Sequence, residues 1–306
     1  ARYHQAVAAE LELDPDRSVI LGTAADMQYA ATAAAAHDEF RVTAVTTGGV
    51  GNAGRAGDPA VWVERDGAYE HVNAHGTINI QLYFNTDLSP AALARAVVTM
   101  TEAKTAVLQD LHVRSRTGCG IATGTGTDQY ALACPRPGGT PIHWTGTHTK
   151  MGELIARATM ESLRQALLWQ SGLEPSRTRN MTQILERFGL TLDAFHRRLA
   201  EQLSETEHTF FKKNEDAVLH QPQAAACAFA LATIHDRREM GALPCPAAAE
   251  AMLSQAALMA AALAGRHEAY ADLRLRLARQ TDAGDTVALV IDALILGIRY
   301  KWERPA

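Results

Sequence analysis

The segment from Thr46 to Asp58 is the feature that most constrains how this chain can fold. It reads Thr-Thr-Gly-Gly-Val-Gly-Asn-Ala-Gly-Arg-Ala-Gly-Asp and follows a strand-like run, Phe40 to Thr47. Five glycines in thirteen residues would cost too much backbone entropy inside a helix or strand. Such a loop suits a backbone that approaches a ligand closely, with Asn52, Arg55 and Asp58 as polar side chains. The alternative is an ordinary glycine-rich turn, and neither common nucleotide-binding glycine motif fits the spacing.

Two further polar, glycine-rich loops follow. The loop from Gly118 to Asp128 alternates small hydroxyl residues with glycine and precedes a strand-like run. The loop from Trp144 to Lys150 leads directly into an amphipathic helix, which Thr147 or Thr149 can cap. Because a helix N-terminus stabilises negative charge, we expect an anion or oxyanion site there. Together the three loops predict one shared site.

These loops belong to an ordered set of motifs. The set comprises Gly22–Met27, Thr47–Pro59, Gly76–Ile80, Thr101–Ala106, Ala122–Asp128 and Gly146–Ile155. In this order they resemble the motifs of the adenosylcobinamide amidohydrolase family of corrinoid salvage, over about Leu11 to Leu168. The resemblance implies hydrolysis of the amide that joins the corrin ring's propionyl arm to aminopropanol. The expected product is adenosylcobyric acid.

Two departures from the family pattern leave alternatives open. Family members carry an additional segment ahead of the position where this chain begins, and the residues after Gly172 have no counterpart in the matched motifs. A hydrolase on the same scaffold with a different substrate is therefore one alternative. A corrinoid-binding or carrier protein without turnover is another.

The composition is that of a protein without nucleic acid or membrane partners. A net charge of −5 and a pI near 6.2 disfavour nucleic acid, whose phosphates require a basic surface. We find no run of about 18 uninterrupted apolar residues that would predict a membrane span. The four cysteines show no CxxC spacing, which favours reduced thiols and a cytoplasmic location.

The sequence pattern changes near Gly172. Before it, strand-like and helical runs alternate, so residues 1–172 are predicted to form an α/β or α+β domain with a mixed sheet flanked by helices. The predicted strands are Val19–Leu21, Arg41–Thr46, Ala60–Val63, Ile78–Phe84 and Gln129–Ala133. The predicted helices are Met27–His37, Ser89–Leu111 (with Ser89 as N-cap) and Lys150–Gln170.

Residues 173–306 are predicted to form an all-α domain, either a lid over the substrate or a homodimer contact. The predicted helices are Met181–Phe188, Leu192–Leu203, Gln223–Arg237, Pro246–Leu263, Arg266–Thr281 and Asp285–Tyr300. The charged segment from Glu205 to Ala217 is predicted to be a mobile connection.

Amide hydrolysis requires an activated nucleophile and stabilisation of the oxyanion. Backbone N–H groups of the glycine loops, or those at the start of the Lys150 helix, are the candidate oxyanion donors. The predicted catalytic residues are His148, Asp128, Thr125, Glu153 and Lys150. The predicted substrate-binding residues are Asp26, Gly49, Gly51, Asn52, Arg55, Asp58, Asn79, Thr123 and Thr127. In this interpretation the Asn side chains orient the corrinoid's amide arms and Arg55 binds an oxygen bidentately.

The nucleophile remains open at this stage. Thr123, Thr125 or Thr127 could attack, as could water activated by a base or a metal, or the thiol of Cys119. No spacing typical of a metal site is present, so no metal or other cofactor is predicted to be required, and the cobalt belongs to the substrate. Glu102 and Lys104, in an otherwise apolar helix, either support the loops from behind or lie on a solvated face.

Overall fold

The computed structural model describes residues 2–59, 76–135 and 138–302. The chain divides into two compact units, Ala1–Pro175 and Ser176–Ala306. The first contains a mixed sheet with helices and the second is helical. The predicted fold class is therefore confirmed.

A four-stranded sheet forms the centre of the first unit. Its strands are β1 (Ala31–His37), β2 (Phe40–Gly48), β4 (Ile78–Phe84) and β6 (Gln129–Ala133), in the order β1-β2-β4-β6. Strand β2 is antiparallel to both neighbours, whereas β4 and β6 run parallel. Two short strands, β3 (Ala53–Gly54) and β5 (Gly124–Thr125), form a separate antiparallel pair. The strands predicted at 41–46, 78–84 and 129–133 are confirmed.

The described part of this unit also contains the helices α1 (Arg2–Glu10), α2 (Pro90–Asp110) and α3 (Lys150–Ser171). The helices predicted over 89–111 and 150–170 are confirmed, and Ser89 caps α2 by accepting a hydrogen bond from Ala92 N. Thr149 caps α3, and Gly172 ends it in the left-handed conformation that glycine tolerates best. The two long helices cover the apolar side chains of the central strands in one buried core.

Helices α2 and α3 run side by side in the same direction. Near their starts, Thr145 Oγ1, just before α3, donates a hydrogen bond to Ala92 O in the first turn of α2 at 2.7 Å. Near their ends, Arg164 pairs with Asp110 at 2.7 Å. Close to Arg164 on α3, Ser162 Oγ lies 2.7 Å from Thr46 Oγ1 of β2. The unit therefore has one end at the helix starts and an opposite end where β4 and β6 begin.

Two predicted elements of the first unit are wrong. The helix predicted over 27–37 is a 3₁₀ turn, Met27–Tyr29, followed by strand β1. Alanine favours helices, but here pairing with β2 and close packing of α3 on small side chains prevail over that preference. The strand predicted at 19–21 is not formed, and Val19 is 75% exposed. The strand predicted at 60–63 lies outside the described residues.

The helices of the second unit follow the predicted ones closely. They are α4 (Pro175–Thr178), α5 (Met181–Leu185), α6 (Leu192–Gln202), α7 (Glu205–Lys213), α8 (Glu215–Leu219), α9 (Pro222–Glu239), α10 (Cys245–Ala264), α11 (Tyr270–Gln280) and α12 (Thr286–Trp302). The mobile connection predicted at 205–217 is wrong, because it forms α7 and α8. A capping box of Ser204 and Glu207 starts α7, and buried Phe211 anchors it against Phe195.

Helix α10 lies at the centre of the second unit. It packs against α9 and α12, and its apolar residues belong to one buried cluster. Among the described helices it alone is long and apolar enough to cross a membrane when judged by length and composition. Because 56% of its apolar window is buried within the protein, this is weak evidence, and the core helix of a globular unit has the same properties.

Replacement of Gly152 by alanine tests the entry into α3. A Cβ atom at this position would lie 2.0 Å from the carbonyl oxygen of Gly146, so the backbone would have to move. We expect Gly152→Ala to lower the free energy of unfolding by about 1–3 kcal/mol, measured by chemical denaturation. Gly139→Ala is the control, because none of the residues that the structure describes places an atom within 4 Å of its Cβ position. Equal stability of the two variants would contradict this packing.

Candidate active site

Two of the glycine-rich loops are joined by backbone hydrogen bonds. In the β3–β5 pair, Ala53 lies opposite Thr125 and Gly54 lies opposite Gly124. Thr123 adds two contacts, since its N–H donates to Gly54 O and its Oγ1 accepts from Ala56 N, each at 2.9 Å. The loops at 49–58 and 118–128 thus form a single surface, and Thr123 holds them together.

The carboxylate of Asp128 accepts four hydrogen bonds beneath this surface. Oδ1 accepts from Thr125 Oγ1 at 2.6 Å and from Ile78 N at 3.2 Å. Oδ2 accepts from Thr125 N at 3.1 Å and forms an ion pair with Lys104. Only 12% of the Lys104 side chain and 19% of the Asp128 side chain are exposed. Asp128 therefore ties the loop to both β4 and α2.

Lys104 supports the loop from behind, one of the two alternatives considered from the sequence, while Glu102 is exposed on the same helix. The contact also requires glycine at position 124. A Cβ atom there would lie 2.5 Å from Asp128 Oδ2 and 2.7 Å from Lys104 Nζ. Because both distances are well below van der Waals contact, a side chain at Gly124 would break the ion pair.

A second carboxylate, that of Asp58, is enclosed in a similar way. Its Oδ2 accepts a hydrogen bond from Ser115 Oγ at 2.5 Å, and a Cβ atom on Gly118 would lie 2.5 Å from it. The neighbouring Gly120 leaves space for Arg55, whose Cδ is 2.6 Å from the Cβ position. Arg55 is exposed, and we find no hydrogen bond or ion pair between its guanidinium and the residues that the structure describes.

The start of β4 connects to both loops. Thr77 Oγ1 donates to Thr127 O at 2.6 Å, and Thr127 Oγ1 donates to Gly76 O at 2.9 Å. Gly49 N donates to Thr77 O at 2.9 Å. Gly49 and Thr127, both predicted to bind substrate, therefore lie in one network around the first residues of β4.

Three other predicted substrate-binding residues have different surroundings. Asn79 is buried, and its Nδ2 donates to Gly22 O at 2.7 Å, so its amide is used within the fold. Asp26 is exposed; its Oδ1 accepts from Gln28 N, and its own N–H donates to Gln170 near the end of α3. Asn52 Oδ1 is buried beside exposed Gly51 and has no hydrogen-bond partner among the described residues.

His148, Lys150 and Glu153 lie at the start of α3. Lys150 Nζ contacts Glu153 Oε2 at 2.5 Å, and this hydrogen bond, with further help from Arg157, lowers the pKa of Glu153. A carboxyl group whose pKa is lowered in this way is a weaker base. His148 is exposed in a groove of about 620 Å³. We call it the Trp144 groove and define it by Arg95, His143, Trp144, Gly146, His148 and Thr149.

The structure does not bring His148 and Asp128 together. Thr46 pairs with Ile80 near the start of β4, so its contact with Ser162 places this level of α3 beside the strand end where Asp128 is bound. The helix rises roughly 18 Å between Lys150 and Ser162 at 1.5 Å per residue. His148 and Asp128 therefore cannot act on the same bond in this conformation. The catalytic roles of His148, Lys150 and Glu153 stay predictions.

The described residues include no group of three or more His, Cys, Asp and Glu side chains that could hold a metal ion. His148 and Glu153 lie at the start of α3, whereas Asp128 lies at the opposite end of the unit, beside the start of β4. Sequence reasoning also missed Ser115 as the partner of Asp58, and no motif or spacing points to it. The role of Lys104 could be suspected from the sequence, since a charged residue within an otherwise apolar helix needs a partner.

Comparison with known proteins identifies the first unit. The family model for adenosylcobinamide amidohydrolase, CbiZ, matches residues 1–175. The chain belongs to this family. An uncharacterized protein of Methanocaldococcus jannaschii is 38% identical over 183 residues, which cover 56% of this chain and 71% of that protein. No solved structure matches the chain significantly.

The family match confirms the resemblance drawn from the ordered motifs, and the family's name implies an amidohydrolase. The matched residues contain all three glycine-rich loops, the Asp128 network and the Trp144 groove. Residues 176–306 lie outside the match. The role of the helical unit as a lid or a dimer contact thus stays a prediction.

Removal of the Asp128 carboxylate tests how strongly it braces the loop. Asp128→Ala leaves Lys104 buried without its partner and two backbone N–H groups without an acceptor. We therefore expect the free energy of unfolding to fall by about 3 kcal/mol. The control is Asp110→Ala, which removes an exposed ion pair with Arg164 and should cost less than about 1 kcal/mol. Similar losses in urea titrations of both variants would refute the bracing role.

Proposed function

We propose that this protein hydrolyses the amide between the aminopropanol arm and the corrin ring of adenosylcobinamide, giving adenosylcobyric acid. The observation that carries the proposal is the pairing of two family glycine loops over the Asp128 network. This surface offers a hydroxyl bonded to a carboxylate, exposed backbone and the guanidinium of Arg55, which has no partner among the described residues. Together with family membership, it supports an amide-cleaving site at this end of the sheet.

Thr125 is the proposed nucleophile. Its Oγ1 lies 2.6 Å from Asp128 Oδ1, which is the geometry of a hydroxyl donating to a general base. Ser115 and Asp58 form a comparable pair, but Ser115 is only 1% exposed and cannot meet a substrate. The half-buried position of Thr125, beside exposed Gly126, favours Thr125.

The proposed reaction has two steps. Thr125 Oγ1 bonds to the amide carbon while its proton passes to Asp128, which returns it to the nitrogen as the C–N bond breaks. Water then hydrolyses the ester, giving up a proton to Asp128 that returns to Thr125. Lys104 positions the carboxylate, and the exposed backbone N–H of Gly126 is the candidate oxyanion donor. No atom of the described residues lies within 4 Å of the Gly126 Cβ position, which leaves room for a substrate to approach.

Arg55 is the proposed anchor for the corrinoid. Its planar guanidinium can donate two hydrogen bonds to an amide oxygen on the ring's periphery. The proposal requires no cofactor beyond the substrate's own cobalt. The proposed partner is a small-molecule corrinoid in the cytoplasm.

The decisive experiment incubates the purified protein with adenosylcobinamide and follows products by liquid chromatography and mass spectrometry. We expect adenosylcobyric acid and free aminopropanol in equal amounts. A parallel reaction with a chelator tests for metal dependence, which would replace Thr125 by a metal-activated water. Unchanged substrate with a shifted corrinoid absorption spectrum would favour a carrier and refute hydrolysis.

Thr125→Val tests the nucleophile. The change removes the hydroxyl and keeps the side-chain shape, so we expect kcat to fall at least about 100-fold. Thr101→Val is the matched control, because the Thr101 hydroxyl donates only to Val97 O within α2 and faces solvent. Full activity of Thr125→Val would overturn this assignment while leaving the reaction itself intact.

A further inference from the structure

The Trp144 groove lies at the other end of the first unit and has no role in the proposed hydrolysis. Its volume of about 620 Å³ falls within the range of small-molecule sites. Trp144, in its wall, is 75% exposed. A tryptophan is mostly buried in folded proteins, so a ring left open beside a groove offers a flat stacking surface.

The groove is rich in nitrogen donors. Arg95, His143 and His148 are exposed, and we find no hydrogen bond or ion pair for their side chains within the described ranges. The residues that line the groove include no Asp or Glu. One fixed positive charge and two imidazoles therefore face the same space without a carboxylate to neutralise them.

Two helices begin beside the groove. Ala91 lies in the first turn of α2, and Thr149 is the N-cap of α3. Both helix N-termini add positive potential to that of Arg95. The Thr149 hydroxyl is already used, since it accepts from Gly152 N and donates to Gly146 O at 2.8 Å. The side chains available to a ligand are thus Arg95, His143, His148, the Thr147 hydroxyl and the Trp144 ring.

From these observations we infer that the Trp144 groove binds a phosphorylated aromatic heterocycle of the nucleoside monophosphate class. The ring stacks on Trp144, and the phosphate binds Arg95 and the imidazoles. Adenosylcobinamide matches only half of these features, because its adenosyl group supplies an aromatic ring but its arms end in amides and a hydroxyl and carry no anion. The separation of roughly 20 Å from Asp128, estimated from the helix rise, also places the groove outside the proposed hydrolytic site.

Titration calorimetry with adenosine monophosphate tests this inference in the absence of corrinoid, so its outcome is independent of hydrolysis. We expect the monophosphate to bind more tightly than either adenosine or inorganic phosphate, because each of these lacks one half of the recognition. Trp144→Ala and Arg95→Gln should each raise Kd at least about fivefold. Thermal unfolding checks that both variants remain folded.

The matched controls are Trp169→Ala and Arg164→Gln. Trp169 is 49% exposed near the end of α3, and Arg164 pairs with Asp110, so neither change should alter Kd. Absence of binding at millimolar concentration would overturn the inference. Equal affinity for inorganic phosphate and the monophosphate would do the same, since the ring would then contribute nothing. Displacement of the monophosphate by adenosylcobinamide would assign the groove to the corrinoid site instead.

Discussion

The bonding of Asp128 is the interaction on which the first unit's candidate chemistry depends. One carboxylate receives donors from strand β4, helix α2 and its own loop. Each donor comes from a different part of the chain, so the loop position is fixed only when sheet and helix are both in place. A partly buried charge is stable here because Lys104 and three hydrogen bonds replace its water.

Glycine makes this arrangement possible by leaving out a side chain. Gly124 admits the ion pair of Lys104 and Asp128, and Gly118 admits the carboxylate of Asp58. In both places glycine is needed because a Cβ atom would collide with a charged group. An unusual backbone angle is not the reason. The glycine density of the loops therefore reflects close packing of backbone against polar side chains, as well as access for a ligand.

The first unit separates two kinds of chemistry. At the start of β4 and β6, carboxylates, hydroxyls and backbone N–H groups lie under paired glycine loops. At the start of α2 and α3, an exposed tryptophan faces an arginine and two histidines. The parallel course of the two helices causes this division, because each helix carries the chain from one end of the sheet to the other.

Much of the fold could be predicted from local signals. In strand β4, the buried apolar residues Ile78, Ile80, Leu82 and Phe84 occupy every second position. Ser89-Pro90 marks the start of α2. The helix predicted over 27–37 failed because β1 depends on pairing with β2, a contact that alanine content cannot reveal. Ser204 and Glu207 have the spacing of a capping box and so indicate the start of α7. The prediction of a mobile connection gave more weight to the high charge of the segment.

The sequence by itself determined the family, the mixed-sheet and helical units, and the polar, glycine-rich loops from which a site could be built. Only the tertiary structure decided which of those loops meet. Asp128 is hydrogen-bonded to Thr125 and Lys104. His148, by contrast, lies just before the start of α3, at the opposite end of the sheet. The physical reason is that the order of motifs along a chain does not determine where they lie relative to one another in the folded protein. The course of two packed helices determines at which end of the sheet each side chain lies.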